Sequence, residues 1–378
     1  MRVAVNTRFL LSDKLEGIGR YTYEIVRRLV ERHTDWEFIF LFDRPFDPGF
    51  VFGKNVKAVV IAPPARHPFL WYIWFEHSVA RALNRYQPHV FFSPDAYLSL
   101  TAKTPTVLTI HDLAHEYLPE QLPVLVRNYY RYFVPRYCRR ADRIVSVSDF
   151  SRQDIEQIYR IPAEKISVTG NGCREGLKPL TAAEKTAAKT QFASGKDYFL
   201  FIGAIHPRKN VHRLLQAFEL FKQRSGSEVK LVLCGRMAWK TDEVARSYQQ
   251  SQYRDDIIFT GFLPDQELPR LLGGALAFVY PSLFEGFGIP VLEAMHCEVP
   301  VLSSNASALP EVVGQAGLLL SPFDVNGWAE AMQRIWFDEA LQRELVDVGK
   351  QQRRLFSWER ATDVVEQAII GIAGQNNK

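Results

Sequence analysis

At 378 residues the chain is longer than one hydrophobic core usually serves, so two domains are expected. The composition, 47% hydrophobic and 23% charged without a low-complexity tract, is that of an ordinary soluble globular protein. A formal net charge of +4 is too small to argue for nucleic acid as a partner, though it leaves room for a local basic surface facing an anion.

Met1-Arg2-Val3-Ala4-Val5-Asn6 reads as a first strand rather than as a charged leader. A loop holding Gly17 and Gly19 follows, then a helix with Tyr21, Ile25, Leu29 and Val30 on one face. Strand-like runs recur at Phe38–Phe42, Val56–Ile61, Val90–Ser93, Thr106–Ile110 and Ile144–Val147, with helical stretches at Leu70–Asn84 and Val124–Arg139. Strands without alternation, separated by helices, indicate a parallel sheet buried on both faces.

Val168–Leu180 has four Gly or Pro residues and little periodicity, and reads as an interdomain crossing. The pattern restarts with strand Tyr198–Ile202, helix Val211–Lys222 and strands at Val229–Leu233, Ile257–Thr260, Leu276–Tyr280 and Val299–Ser303. Leu271–Phe284, the longest apolar stretch, is too short and too broken by Gly273, Gly274, Pro281 and Ser282 to span a bilayer. A last helix begins after Ser357 as N-cap and ends before Gly374, with Gln375–Lys378 frayed. The expected fold is α/β: two Rossmann-like, doubly wound parallel-sheet domains facing a central cleft. Residues 1–175 form the first domain and 176–355 the second, while 356–378 form a helix packing back on the first. Cys138, Cys173, Cys234 and Cys297 lie far apart with no CxxC pair, which suits reduced thiols in a cytoplasmic protein.

Two segments carry chemistry. Strand Tyr198–Ile202 runs into Gly203-Ala204-Ile205-His206-Pro207-Arg208-Lys209-Asn210, with Asn210 expected as the N-cap of the next helix. Two cations ahead of a helix start suit an anion such as a phosphate; the alternative is a solvated basic loop. The second segment runs from Tyr280 to Glu293, with Glu285 in the loop and Glu293 about one turn into a helix opened by Pro290. Gly286 and Gly288 keep the loop thin, and the helix start offers free N–H groups. Carboxylates flanking such a helix start suit a sugar nucleotide; otherwise Glu293 only complements the helix dipole.

Taken together, Glu285-Gly286-Phe287-Gly288-Ile289-Pro290-Val291-Leu292-Glu293 and Arg208-Lys209-Asn210 resemble glycosyltransferase family 4, the retaining sugar transferases of the GT-B fold. Gly17-Ile18-Gly19-Arg20-Tyr21, His111-Asp112, Val147-Ser148-Asp149-Phe150-Ser151 and Phe356-Ser357-Trp358-Glu359-Arg360-Ala361 extend the likeness over nearly the whole chain. The resemblance implies that Arg208 and Lys209 hold the diphosphate, Glu285 the donor-sugar hydroxyls and Glu293 the ribose. It further implies donor contacts from backbone groups of Gly288, Ile289, Val291 and Leu292, close approach at Gly17 and Gly19, and base contact near Phe262. His111 would sit by the transferred sugar and join Arg208, Lys209 and Glu285 in catalysis. Implied too are a nucleotide-diphosphate sugar as donor substrate, no tightly bound cofactor or metal, and a saccharide or lipid-linked acceptor. GDP-mannose is favoured over a UDP-sugar, because the Gly17–Tyr21 and Thr109–Asp112 runs resemble bacterial mannosyltransferases of surface polysaccharide assembly.

Rival readings stay open at this level. A nucleotide-sugar epimerase or a non-catalytic nucleotide-sugar-binding protein would share the fold. His111 and His115, four apart, could be metal ligands or a strand-end pair. The arginine- and tyrosine-rich run from Leu125 to Arg143 fits either an amphipathic helix packing its aromatics or peripheral contact with the inner membrane.

Overall fold

The computed structural model describes residues 1–12, 15 and 17–374; Gln375–Lys378, expected as a frayed end, lie outside that set. The chain divides into two compact units, Met1–Asn171 with Ser357–Lys378, and Gly172–Phe356.

The first unit holds strands β1 (Arg2–Asn6), β2 (Glu37–Phe42), β3 (Val56–Val60), β4 (Val90–Ser93), β5 (Thr106–Ile110), β6 (Arg143–Ser146) and β7 (Ile166–Val168). They form one parallel sheet in the order β3-β2-β1-β4-β5-β6-β7. Helices cover both faces, so consecutive strand residues such as Phe38, Ile39, Phe40 and Leu41 are all buried and the runs do not alternate. Ser357 accepts a hydrogen bond from the Arg360 amide and starts the Trp358–Ala373 helix. That helix belongs to the first unit because its apolar face, Trp358, Ala361, Val365, Ile369 and Ile372, is buried there. Its pairs with the Ile18–Arg32 helix, Arg28–Glu359 at 3.0 Å and Arg32–Asp363 at 2.6 Å, are surface contacts that add little beside the apolar burial.

The second unit repeats the plan with β8 (Tyr198–Ile202), β9 (Lys230–Cys234), β10 (Ile257–Gly261), β11 (Ala277–Tyr280), β12 (Val301–Ser304) and β13 (Gly317–Leu320). Their order is β10-β9-β8-β11-β12-β13, again parallel. Two doubly wound parallel sheets are thus the observed architecture. In each, the winding reverses beside the first strand, between β1 and β4 and between β8 and β11. The carboxyl ends of those strand pairs are where such sheets hold ligands.

Three local expectations need correction. Leu70–Asn84 is not one regular helix: a π turn, Trp74–Val79, separates Pro68–Ile73 from Ala80–Tyr86. The extra residue turns Trp74, Phe75 and Glu76 all inward, and the Glu76 carboxylate then takes the Leu100 and Thr101 amides. Gly19 is not in a loop, because the helix already starts at Ile18 with Gly17 as its N-cap. Strands β7 and β13 escape sequence patterning; one has three residues, and Gly317-Leu318-Leu319-Leu320 is a half-buried edge without a β-branched residue.

Candidate active site

In the second unit β8 delivers the chain into a single 3₁₀ turn, Pro207–Lys209, ahead of the Val211–Ser225 helix. Asn210 is not the side-chain cap expected of it. Its backbone is left-handed (φ 59°), which swings the amide away from the helix start. The side chain donates instead to the carbonyls of Pro281 (3.1 Å) and Pro322 (2.6 Å). The Arg208 carbonyl also accepts from the Leu283 amide at 2.8 Å. These bonds tie the basic turn to the loop after β11 and to the segment after β13.

That tie brings Lys209 and Glu285 together, the pairing on which the site rests. Lys209 Nζ lies 2.5 Å from Glu285 Oε1 and donates to the Tyr280 hydroxyl at 2.6 Å. Ser282 Oγ (2.5 Å) and the Tyr280 hydroxyl (3.2 Å) donate to the same Oε1. All three donors meet one oxygen; Glu285 Oε2 takes no hydrogen bond among the described residues. Lys209 and Glu285 are both buried, so the pair is screened little by solvent. Burial alone would raise the Glu285 pKa, but the charges of Lys209 and Arg208, with the Lys209 and Ser282 hydrogen bonds, outweigh it and bring the carboxyl down to about 2. The Tyr280 hydroxyl moves the other way, pushed well above its usual value by burial and the Glu285 charge. The site therefore presents a carboxylate that stays ionised at neutral pH, with the Lys209 Nζ 2.5 Å from it. Tyr280, Ser282 and Ser307, whose hydroxyl accepts from the Glu285 amide at 2.7 Å, were not anticipated as site residues. Their only sequence signal was their place beside the glutamate.

Gly288 stands at φ 103°, and a Cβ there would come within 2.6 Å of Leu309 Cδ2, so both backbone and space call for glycine. It opens the Ile289–His296 helix, with Pro290 in the first turn. Val291 and Leu292 are fully buried, leaving only their backbone groups for a ligand. Glu293 is buried one turn in and is held by Arg174, whose Nε lies 2.6 Å from Glu293 Oε1 and whose Nη1 lies 2.9 Å from Asp265 Oδ1. Arg174 was not anticipated either. Phe262, just after β10, is 63% exposed.

His206 stacks on the Trp239 ring at 4.8 Å, and its Nδ1 is buried without a partner. Burial, then the Arg208 and Lys209 charges, pull its pKa down to about 4. The unfolded chain binds this proton near the ordinary 6.5. Between those values the unfolded state holds more protons, so stability falls as the pH is lowered through the window. His206→Asn should reduce the slope of unfolding free energy against pH there by up to one proton's worth, as denaturant titrations at pH 4.5 to 6.5 would measure. An unchanged slope would contradict the assignment.

In the first unit Gly17 takes φ 43°, favouring glycine at the helix entry, and its carbonyl accepts from the Tyr21 amide. The Tyr21 ring meets His111 edge-on at 4.9 Å. His111 Nε2 lies 2.8 Å from the Pro94 carbonyl, so this nitrogen carries the proton. Burial holds the imidazole below its ordinary pKa against the pull of the Pro94 carbonyl, Asp112 and Asp95. His115 points elsewhere, with Nε2 2.7 Å from the buried Tyr159 hydroxyl, so the two histidines do not form a ligand pair. Beside them, where β1 and β4 end, Asp95 gathers Asn6 (2.9 Å) and Arg8 (2.8 Å) in a buried polar cluster that had no sequence signal.

Sequence relatives decide what this arrangement belongs to. Residues 15–175 match the family model Glycosyltransferase Family 4, and residues 182–352 match Glycosyl transferases group 1. The chain is 33% identical over 360 residues to the O-antigen chain mannosyltransferase B of Escherichia coli, covering 92% of this chain and 94% of that one. The chain belongs to glycosyltransferase family 4. A second relative, the O-antigen chain mannosyltransferase RfbU of Salmonella typhimurium, is 28% identical over 275 residues, 71% of each chain. Among solved structures, the sucrose-phosphate synthase of Thermosynechococcus elongatus superposes with a TM-score of 0.80 at 18% identity, covering 99% of this chain and all of that one. Anabaena HepE, solved with UDP and glucose, reaches 0.74 at 18% identity, covering 98% and 99%. At such identities these two speak for the GT-B fold alone. This glycosyltransferase therefore has its motif glutamate and lysine joined by a direct ion pair.

Proposed function

We propose that this glycosyltransferase moves a mannosyl group from a nucleotide diphosphate, GDP-mannose rather than a UDP-sugar, to a hydroxyl of a saccharide or lipid-linked acceptor, with retention at the anomeric carbon. The near-full-length likeness to an O-antigen mannosyltransferase carries the sugar assignment. The Lys209–Glu285 pairing beside Arg208 and the Gly288 helix start supports the donor site.

As the bond from the anomeric carbon to the diphosphate breaks, negative charge builds on the leaving oxygen. Arg208, Lys209 and the helix N–H groups stabilise it, and such preorganised electrostatics is usually the largest catalytic contribution. Glu285 Oε2 accepts from donor-sugar hydroxyls, while its Oε1 keeps Lys209 in place. His111, neutral with its proton on Nε2, offers Nδ1 as an acceptor. The acceptor hydroxyl attacks from the departing side and passes its proton to the leaving phosphate. No step in this account needs a tightly bound metal or cofactor.

Glu293 binds the ribose hydroxyls, with Arg174 fixing its orientation. Arg174→Ala should therefore weaken nucleotide binding about tenfold by calorimetry, with kcat changed much less. Unaltered affinity would remove Arg174 from the donor site. The assignment as a whole is tested by thermal stabilisation across a panel of nucleotide sugars, because a ligand that binds only the folded state raises its melting temperature. GDP-mannose should shift it most; a larger shift with a UDP-sugar would overturn the donor choice.

A further inference from the structure

Where β1 and β4 end, the first unit holds a buried ion pair that the proposed reaction does not use. Arg8 Nε lies 2.8 Å from Asp95 Oδ2, with 5% and 1% of the two side chains exposed. Burial would lower the pKa of the guanidinium, but the Asp95 charge, with Tyr97 beside it, outweighs this and Arg8 stays charged. The guanidinium also rests on rings, 4.2 Å from the centre of Tyr97, 4.4 Å from Phe9 and 5.5 Å from Phe75. Phe75 belongs to the π turn Trp74–Val79 and stacks on Tyr97 at 5.3 Å. Such turns are frequent at functional sites.

A buried pair is weak evidence of stability, because well-packed apolar residues of similar volume often serve as well. What this pair does hold is the segment Pro94–Tyr97, which belongs to no helix or strand. Asp95 Oδ1 accepts from Asn6 Nδ2 at 2.9 Å and from the Tyr97 amide at 3.2 Å, folding the segment into a turn over its own side chain. The Ser93 hydroxyl donates to the Tyr97 carbonyl at 2.6 Å. With Arg8 on Oδ2, both Asp95 oxygens are anchored to the end of β1 and the residues just after it. The Pro94 carbonyl, one residue before Asp95, is what His111 Nε2 meets at 2.8 Å. Tyr21 edge-on at 4.9 Å and the Ser151 hydroxyl, 3.4 Å from the His111 carbonyl, hold the residue in place. The Pro94 carbonyl decides which ring nitrogen carries the proton.

We propose that the Arg8–Asp95 pair positions His111: by pinning Pro94–Tyr97 it aims the Pro94 carbonyl at Nε2, locks the imidazole in one tautomer and leaves Nδ1 as the acceptor. The π turn serves the same end, since it supplies the Phe75 ring on which Tyr97 is stacked and near which Arg8 lies. Arg8 and Asp95 act through another residue, because both are too deeply buried to touch a substrate. The inference rests on the proposed place of His111 beside the transferred sugar. Its test reads the imidazole separately from sugar transfer, so the two can fail independently.

The test is NMR of the full chain labelled with ¹⁵N-histidine, with the His111 signals assigned by their loss in His111→Gln. In the parent the Nε2 proton should be protected from exchange, and the ring nitrogens should show a single neutral tautomer. Asp95→Asn should lose that protection and show a mixture of tautomers. Its kcat, measured well below its melting temperature, should fall about 10- to 10²-fold with donor KM within about twofold, as expected when a positioned group is slightly misplaced. Arg8→Lys keeps a charged donor for Asp95 and should retain the single tautomer and most of kcat. Should Asp95→Asn fail to fold with Arg8 left buried and uncompensated, Arg8→Met/Asp95→Asn removes both charges and gives the same two measurements. A protected single tautomer in the folded variants would overturn the proposal and reduce the pair to structural support, whatever the melting temperature. A mixed tautomer with undiminished kcat would uphold the positioning and remove His111 from the reaction instead.

Discussion

Lys209→Ala should lower kcat by about 10² to 10³, the range expected when one preorganised donor to a developing charge is lost. KM for the donor should change less, because charge on the leaving oxygen builds mainly in the transition state. The substitution also strands Glu285, a buried carboxylate held near a pKa of 2 chiefly by its cationic neighbours. Breaking a buried pair from one side typically costs about 3–5 kcal/mol, so the variant should melt earlier as well. Initial rates at saturating donor, taken well below the variant's melting temperature, separate the two effects. A Lys209→Ala enzyme with near-normal kcat would remove the cation from the reaction.

Glu285→Gln should be nearly as damaging, for a different reason. The amide keeps the shape and one acceptor but loses the charge that orders the Lys209 ammonium and Ser282, and it places an N–H₂ group where sugar hydroxyls are to be accepted. A fall in kcat/KM of about 10² is expected, with the fold retained. Because the two side chains act as one unit, Lys209→Met with Glu285→Gln should cost less stability than the sum of the single changes, by about 1 kcal/mol or more. Urea titrations of the four proteins measure this coupling. Strict additivity would mean the ion pair contributes nothing to the site.

The two sheets were legible because their strands are unalternating apolar runs cut by glycine, proline and helical stripes; Val90–Ser93 and Thr106–Ile110 match the structure residue for residue. Lys209 and Glu285 stood out as candidates from their neighbours in sequence. Their direct contact was not, because 76 residues separate them and only the order β8-β11 makes them adjacent. Arg174 and the Asn6–Arg8–Asp95 cluster were invisible for the same reason: each becomes a group only when segments distant in sequence come together in the fold. Asn210 misled because its residue type suits an N-cap while its left-handed backbone turns the side chain to the Pro281 and Pro322 carbonyls. The π turn at Trp74 misled because local periodicity does not register a buried Glu76 that must reach the amides of Leu100 and Thr101.

The proposed retaining transfer of mannose at the Lys209–Glu285 site can be followed by proton NMR of the enzyme with GDP-mannose and a mannose-terminated acceptor. Stoichiometric release of GDP and a new α-mannosyl anomeric signal are expected from the first turnover, both lost in Lys209→Ala. A β-linked product, interconversion of the donor sugar without transfer, or an undiminished signal from the variant would contradict it.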